Sequence, residues 1–167
     1  MDQYHLQYIE QPLGEEDIVD HAVLQKEIET PVCLDESVVS YEAAEAVIRL
    51  GSCKVINIKS SRCGGVYEGK RIHDLCVAHG IPVWCGGMTE LGIGRAQNVS
   101  FASLPGFTEL AHDVAAANRY FDEDITSPMV DITDRCTIIV PDEDNGIRYE
   151  VDEKQIDKME AGHWIFK

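Results

Sequence analysis

Three short apolar runs each end in a charged residue at nearly equal spacing, and this regularity limits the fold more than any other feature. His5-Leu-Gln-Tyr-Ile9 runs into Glu10, Pro31-Val-Cys-Leu34 into Asp35, and Lys54-Val-Ile-Asn-Ile58 into Lys59. Short runs rich in β-branched and apolar residues read as buried strands. A charge at the end of a buried strand is costly unless it points into a polar cleft. Two acids and a lysine are therefore expected at the tips of three successive strands.

Between these runs the apolar period changes from two to about three and a half. The spacing predicts a helix over about 15–29, with Ile18, Ala22, Leu24 or Gln25, and Ile28 inward. Glu15, Glu16 and Asp17 crowd its positive end. A second helix is expected over 41–50, with Ala43, Ala44, Val47 and Ile48 inside, Ser37 or Ser40 as its cap and Gly51 as its stop. A third runs over about 66–79 with Ile72, Leu75, Cys76 and Ala78, and Gly80 ends it. A fourth strand, Ile81-Pro-Val-Trp-Cys85, leads into Gly86-Gly87-Met88, followed by a helix over about 92–102 and a short fifth strand at 107–110.

A strand–helix repeat of about 25 residues implies parallel strands with right-handed crossovers, in an open doubly wound sheet or in part of a (β/α)8 barrel. Either way ligands bind at the carboxyl ends of the strands, the edge that carries Glu10, Asp35, Lys59 and Gly86-Gly87. After Tyr120 the repeat stops. Asp122–Asp134 is acidic and irregular, and its charge reads as a solvated face. Cys136–Val140 reads as a strand and Pro141–Gly146 as a turn, with Asn145-Gly146 a hairpin signal. Ile147–Val151 reads as the returning strand, and a helix over about 153–159 is capped by Asp152.

A net charge of −16 argues against a nucleic-acid partner, since phosphate contacts need clustered Lys and Arg. The densest basic region, Arg62 to Arg71, is sparse. None of the six cysteines forms a Cys-x-x-Cys pair and no secretory signal is evident, so buried reduced thiols in a cytoplasmic protein are expected. No apolar run approaches the roughly 20 residues needed to cross a bilayer.

Neighbouring parallel strands lie about 4.8 Å apart, so Glu10 and Asp35 can meet at one point. Hard carboxylate oxygens suit Mg2+. A lysine one strand further on would face that ion across a small pocket, an arrangement for moving a proton beside a stabilised anion. Each residue also has a plainer role: Asp35 as a helix cap, Glu10 as a solvated loop acid, Lys59 reaching out of a strand end. The shared edge and repeated spacing favour the joint reading. Gly92-x-Gly94 matches no nucleotide-binding fingerprint. His73 and His79 fit packing or surface roles, and Ser60-Ser61 lacks hydrolase partners. Arg62 could bind a substrate carboxylate or pair with Glu90 or Asp113.

At these residues the chain resembles the barrel domain of the enolase superfamily, in the branch of o-succinylbenzoate synthases and N-acylamino acid racemases. The matching segments are Tyr8-Ile-Glu-Gln-Pro12, Leu34-Asp-Glu-Ser37, Ile56-Asn-Ile-Lys-Ser60 with Arg62-Cys-Gly-Gly65, and Arg71-Ile-His-Asp-Leu-Cys76. Gly80–Met88, Gly92-Ile-Gly-Arg-Ala96 and Ala102-Ser-Leu-Pro105 follow. The run from Trp84 to Arg95 is the most specific to the branch. The resemblance implies an incomplete (β/α)8 (TIM) barrel, the carboxyl-terminal half, over 1–128. Residues 129–167 would be a segment that joins a capping domain. It makes Glu10 and Asp35 ligands of Mg2+, Lys59 the acid/base residue, and Gly86, Gly87 and Met88 the lining of the substrate pocket.

The implied chemistry is removal of a proton α to a carboxylate of a small molecule and stabilisation of the enediolate. The product would be o-succinylbenzoate, for menaquinone synthesis, or the chain would racemise an N-acylamino acid or epimerise a dipeptide. The family's Lys-x-Lys pair and first aspartate ligand cannot be placed here. The chain is thus expected to be a fragment with little or no activity alone, an inactive remnant, or half of a split enzyme. Open strand edges favour association with copies of itself or with a complementing amino-terminal half.

Overall fold

The computed structural model describes residues 1–107, 109–140, 149–162 and 164. They fall into two units, one of Met1–Met88 with Phe101–Asp113 and one of Thr89–Ser100 with Val114–Lys167.

In the first unit, strands β1 (Ile9–Glu10), β2 (Val32–Leu34), β3 (Val55–Ile58) and β4 (Val83–Cys85) lie in that order and are all parallel. Helices α1 (Ile18–Glu27), α2 (Tyr41–Leu50) and α3 (Val66–Ala78) connect them. The register pairs Glu10 with Cys33, Cys33 with Val55, and Asn57 with Trp84. Side chains alternate across a strand, so one face carries Tyr8, Glu10, Cys33, Asp35, Val55, Asn57, Lys59, Trp84 and Gly86. The opposite face carries Val32, Leu34, Ile56, Ile58 and Val83, all fully or almost fully buried.

The sheet curls toward the first of these faces. Tyr8 before β1 and Trp84 in β4 stand at its two edges, which three inter-strand steps would hold roughly 14 Å apart in a flat sheet. Their rings nevertheless stack with centroids 6.0 Å apart. Beneath them Cys33, Val55 and Trp84 form one apolar cluster, with Tyr8 and Leu110 packed on it. This is the wall of a (β/α) barrel seen from its filled interior.

Caps set the helices. Ser40 accepts the N–H of Ala43 to start α2, and Gly51 ends it in the left-handed region at φ 70. Asp17 accepts the N–H of Asp20 and starts α1 three residues later than the acid-rich run suggests. The inward face of α1 is His21, Ala22 and Gln25. Buried His21 accepts the Leu13 N–H at Nε2, and its Nδ1 lies 2.5 Å from the Asp17 carbonyl.

The first strand is shorter than expected. Asp2–Tyr4 is a 3-10 turn that ends at His5 with φ 49, and the Asp2 carboxylate is held by the N–H and hydroxyl of Thr30. These two contacts fold the chain start back and leave only Ile9–Glu10 extended. The fifth strand predicted at 107–110 does not form among the described residues 107, 109 and 110. A parallel bridge comes later, between Gly86 and Asp113.

In the second unit, α4 (Gly92–Ala102, whose last two residues belong to the first) begins where Asp124 accepts the Gly92 N–H at 2.7 Å. Ala96, Val99 and Val130 form the core, with Val114, Ile138 and Tyr149 against it. Buried Arg95 donates to the carbonyls of Ala115 and Glu90. Strand β5 (Thr126–Ser127) pairs antiparallel with β6 (Glu150–Val151), and Asp152 caps α5 (Glu153–Met159). Cys136–Val140 is not a strand. Thr133 bonds Thr137 through both backbone and hydroxyl, and Cys136 sits at φ 57, so the chain turns there instead of extending. The expected turn at 141–146 lies outside the described residues, as does the start of the returning strand. Among the described residues no helix is long and apolar enough to cross a membrane.

Candidate active site

The strand tips of the first unit bring most of the expected residues together. Asp35 follows β2 directly and is 3% exposed. Lys59 follows β3, and its Nζ donates to Asp35 Oδ2 at 2.8 Å. Arg62 donates to the other oxygen of the same carboxylate. A tight turn explains the second contact. The N–H groups of Arg62 and Cys63 both return to the Lys59 carbonyl, which brings Arg62 back beside Lys59. The sequence left Arg62 with Glu90, Asp113 or a substrate carboxylate as partners; its partner is Asp35. One buried carboxylate between two largely covered cations is the paired, bonded state that burial of charge requires.

Glu10 joins the group through Asn57, a residue the sequence reading passed over. Asn57 is fully buried, and its Nδ2 donates to Glu10 Oε1 at 2.9 Å, across β2 from β3 to β1. Its Oδ1 is buried with no hydrogen-bond partner among the described residues. The signal was available: Asn57 stands two residues before Lys59, hence on the same face of the strand.

Gly86 forms the wall beside them. A Cβ on Gly86 would lie 2.3 Å from Asn57 Oδ1 and 2.8 Å from Lys59 Cε. Only a glycine lets β4 approach this closely. The adjoining segment is held by three bonds. Gly87 N–H donates to the Asp113 carbonyl, Asp113 N–H to the Cys85 carbonyl, and Cys85 N–H to His112 Nδ1. Burial pushes the His112 pKa down, which favours the neutral ring that can accept this bond. Met88 is 46% exposed at the end of the loop.

A second overlooked residue, Gln11, ties the loops after β1 and β2. Its Oε1 accepts the N–H of Asp35 at 2.9 Å and of Ser37 at 3.4 Å. Its Nε2 donates to Ser37 Oγ at 2.8 Å and to the Leu13 carbonyl, and Ser37 Oγ donates to the Glu15 carbonyl. Gln11 adopts φ 38, in the left-handed region that non-glycine residues seldom occupy.

The donor chemistry suits a hard divalent cation in part. Glu10 and Asp35 are carboxylates at adjacent parallel strand tips, and the unpartnered Asn57 oxygen lies in the same cluster. Among the described residues no group of three His, Cys, Asp or Glu is placed to hold a metal ion. The residues therefore fit as two carboxylates of a site, not as a full set.

The chain belongs to the enolase C-terminal domain-like family, whose sequence pattern matches residues 1–155. It is 49% identical over 158 residues to the o-succinylbenzoate synthase of Geobacillus kaustophilus, covering 95% of this chain and 41% of that protein. It is 55% identical over 130 residues to the N-succinylamino acid racemase of an Amycolatopsis species, covering 78% of this chain and 35% of that one. The crystal structure of an enolase-superfamily member from Listeria innocua superposes with a TM-score of 0.87 at 42% identity, over 94% of this chain and 42% of that one. The chain thus spans about two-fifths of the length of the relatives it matches.

Proposed function

We propose that this chain supplies the carboxyl-terminal strand tips of a Mg2+-dependent active site that forms o-succinylbenzoate by dehydration. The observation that carries the reading is the Lys59 ammonium 2.8 Å from Asp35, on the concave sheet face that also bears Glu10. Glu10 and Asp35 would hold the ion. Bound Mg2+ would supply positive charge against the anion that forms when a proton leaves the carbon α to a carboxylate, the superfamily's established pattern.

Lys59 is the residue that would hold or move that proton at Nζ, and its charge would steady the anion when protonated. Asp35 orients Lys59, and Arg62 shares the same carboxylate, so the ammonium is fixed in direction. Gly86 stands beside Asn57 and the lysine stem, and Gly87 and Met88 would continue that lining toward substrate. Residues 129–167 would join the capping domain of the longer protein. With one ligand and the opposing lysines supplied elsewhere, the chain alone would be inactive, because such sites act as units.

Racemisation of an N-succinylamino acid is the second reading, favoured by the 55% identity to the Amycolatopsis racemase. One experiment tests both. The chain is mixed with the amino-terminal part of the Geobacillus kaustophilus relative and Mg2+. Formation of o-succinylbenzoate is followed by absorbance, and exchange of the α-proton of N-succinyl amino acids in D2O by NMR. Activity in the mixture that is lost in Lys59→Ala supports the proposal, and the faster of the two reactions selects between the readings. Equal activity of wild type and Lys59→Ala, or none in any mixture, would overturn it.

A further inference from the structure

We propose that Gln11 is a positioning residue whose side-chain amide sets the separation of the Glu10 and Asp35 carboxylates. The inference rests on the metal-site reading above and adds a residue that neither spacing nor charge pointed to.

Gln11 follows Glu10 directly, so its backbone carries the end of β1. Its N–H donates to the Cys33 carbonyl at 2.8 Å, which registers β1 against β2. Its side chain then reaches past the strand end and accepts the Asp35 N–H. One residue is thus joined to the Glu10 segment through the chain and to the Asp35 segment by two bonds, its backbone N–H to β2 and its side chain to the Asp35 N–H. All the bonding capacity at the amide end is directed at these two loops, through Asp35, Ser37 and Leu13. Ser37 extends the tie to the Glu15 carbonyl.

The backbone conformation points the same way. At φ 38 a residue with a Cβ is strained, and such strain persists only where the surroundings hold it. Asparagine or glycine would relieve it, yet asparagine is one methylene too short to reach Asp35 and glycine has no amide. The chain keeps the residue that strains the backbone and makes the bond. Side chains that orient metal-binding carboxylates commonly matter about 10–100-fold in metal affinity.

The test compares Gln11→Asn, Gln11→Met and wild type, using the chain as it is and Mn2+ as the probe. Metal binding is read by electron paramagnetic resonance, fold stability by thermal unfolding, and the Asp35 and Ser37 amides by hydrogen exchange. Gln11→Asn is expected to unfold at a higher temperature than Gln11→Met, to lose protection at those two amides, and to bind Mn2+ about tenfold more weakly. Gln11→Met should show the same loss of protection and of binding. Unchanged protection at Asp35 and Ser37 in both variants overturns the proposal, as does lost protection with unchanged Mn2+ affinity. Failure of the metal-site reading looks different: wild-type Mn2+ binding is absent, or survives both Glu10→Gln and Asp35→Asn. That result removes the proposal with its premise.

Discussion

At the scale of the residue, the site depends on a missing side chain as much as on those present. Gly86 lies where a Cβ would contact Asn57 at 2.3 Å and 2.7 Å, and the Lys59 stem at 2.8 Å. Asn57 is fully buried and already bonded to Glu10, so it has little room to yield. Gly86→Ala is therefore expected to destabilise the chain by about 1–3 kcal/mol, the usual cost of overpacking. It should also shift the side-chain amide resonances of Asn57; urea unfolding and NMR check the two effects. His112 offers a pH test. Burial holds its pKa below 6.5, and its neutral ring accepts the Cys85 N–H. A histidine with a depressed folded pKa lends stability above its unfolded pKa and loses it as pH falls toward the folded value. Wild type should thus lose more melting temperature below pH 6.5 than His112→Asn, whose amide oxygen can accept the same N–H. The strand-end positions of Glu10, Asp35 and Lys59 were legible in the sequence because a charge closing an apolar run breaks a pattern. Asn57 and Gln11 were not, since a neutral amide breaks none, and Arg62 could not be assigned to Asp35 without the turn at Lys59.

Secondary structure was legible where a cap announced it. Ser40 and Gly51 bracket α2 at the expected residues, and Asp152 starts α5 as predicted. Between two candidate caps, the structure selects Ser40, because Ser37 is engaged by Gln11 and the Glu15 carbonyl. Ser40→Ala removes the acceptor for the Ala43 N–H and should cost about 1 kcal/mol, seen as a lower urea midpoint at unchanged slope. Strand lengths were less legible. Apolar alternation continues through residues that the hydrogen bonds leave out, as at His5–Tyr8, where the Asp2–Thr30 contacts redirect the chain. The Cys136–Val140 segment fails for a related reason. Its composition suits a strand, but the two threonine hydroxyls at 133 and 137 bond each other at 2.7 Å and close a turn. Local side-chain bonds of this kind compete with a ladder and leave no periodic trace.

For the molecule as a whole, the consequential feature is the outer edge of β1. In a parallel pair, alternate residues direct their N–H groups to the same neighbour. Ile9 and Gln11 donate to the Pro31 and Cys33 carbonyls, both at 2.8 Å, so the Glu10 N–H points away from β2. On the far side of the sheet, the Gly86–Asp113 bridge continues the parallel pairing past β4. Among the described residues no strand pairs with the outer edge of β1, and that edge lies beside a proposed metal-binding carboxylate. An unpaired strand edge is a template for another chain. In dilute chain alone, the Glu10 amide should exchange with solvent far faster than that of Gln11, its covalent neighbour. Adding the amino-terminal part of a relative should slow exchange at Glu10 and leave Gln11 nearly unchanged, because only the first gains a partner. Protection at Glu10 that instead rises with the concentration of the chain itself would identify copies pairing through this edge. Slow exchange at Glu10 in the dilute chain alone would show that the edge is already covered and would contradict the expectation.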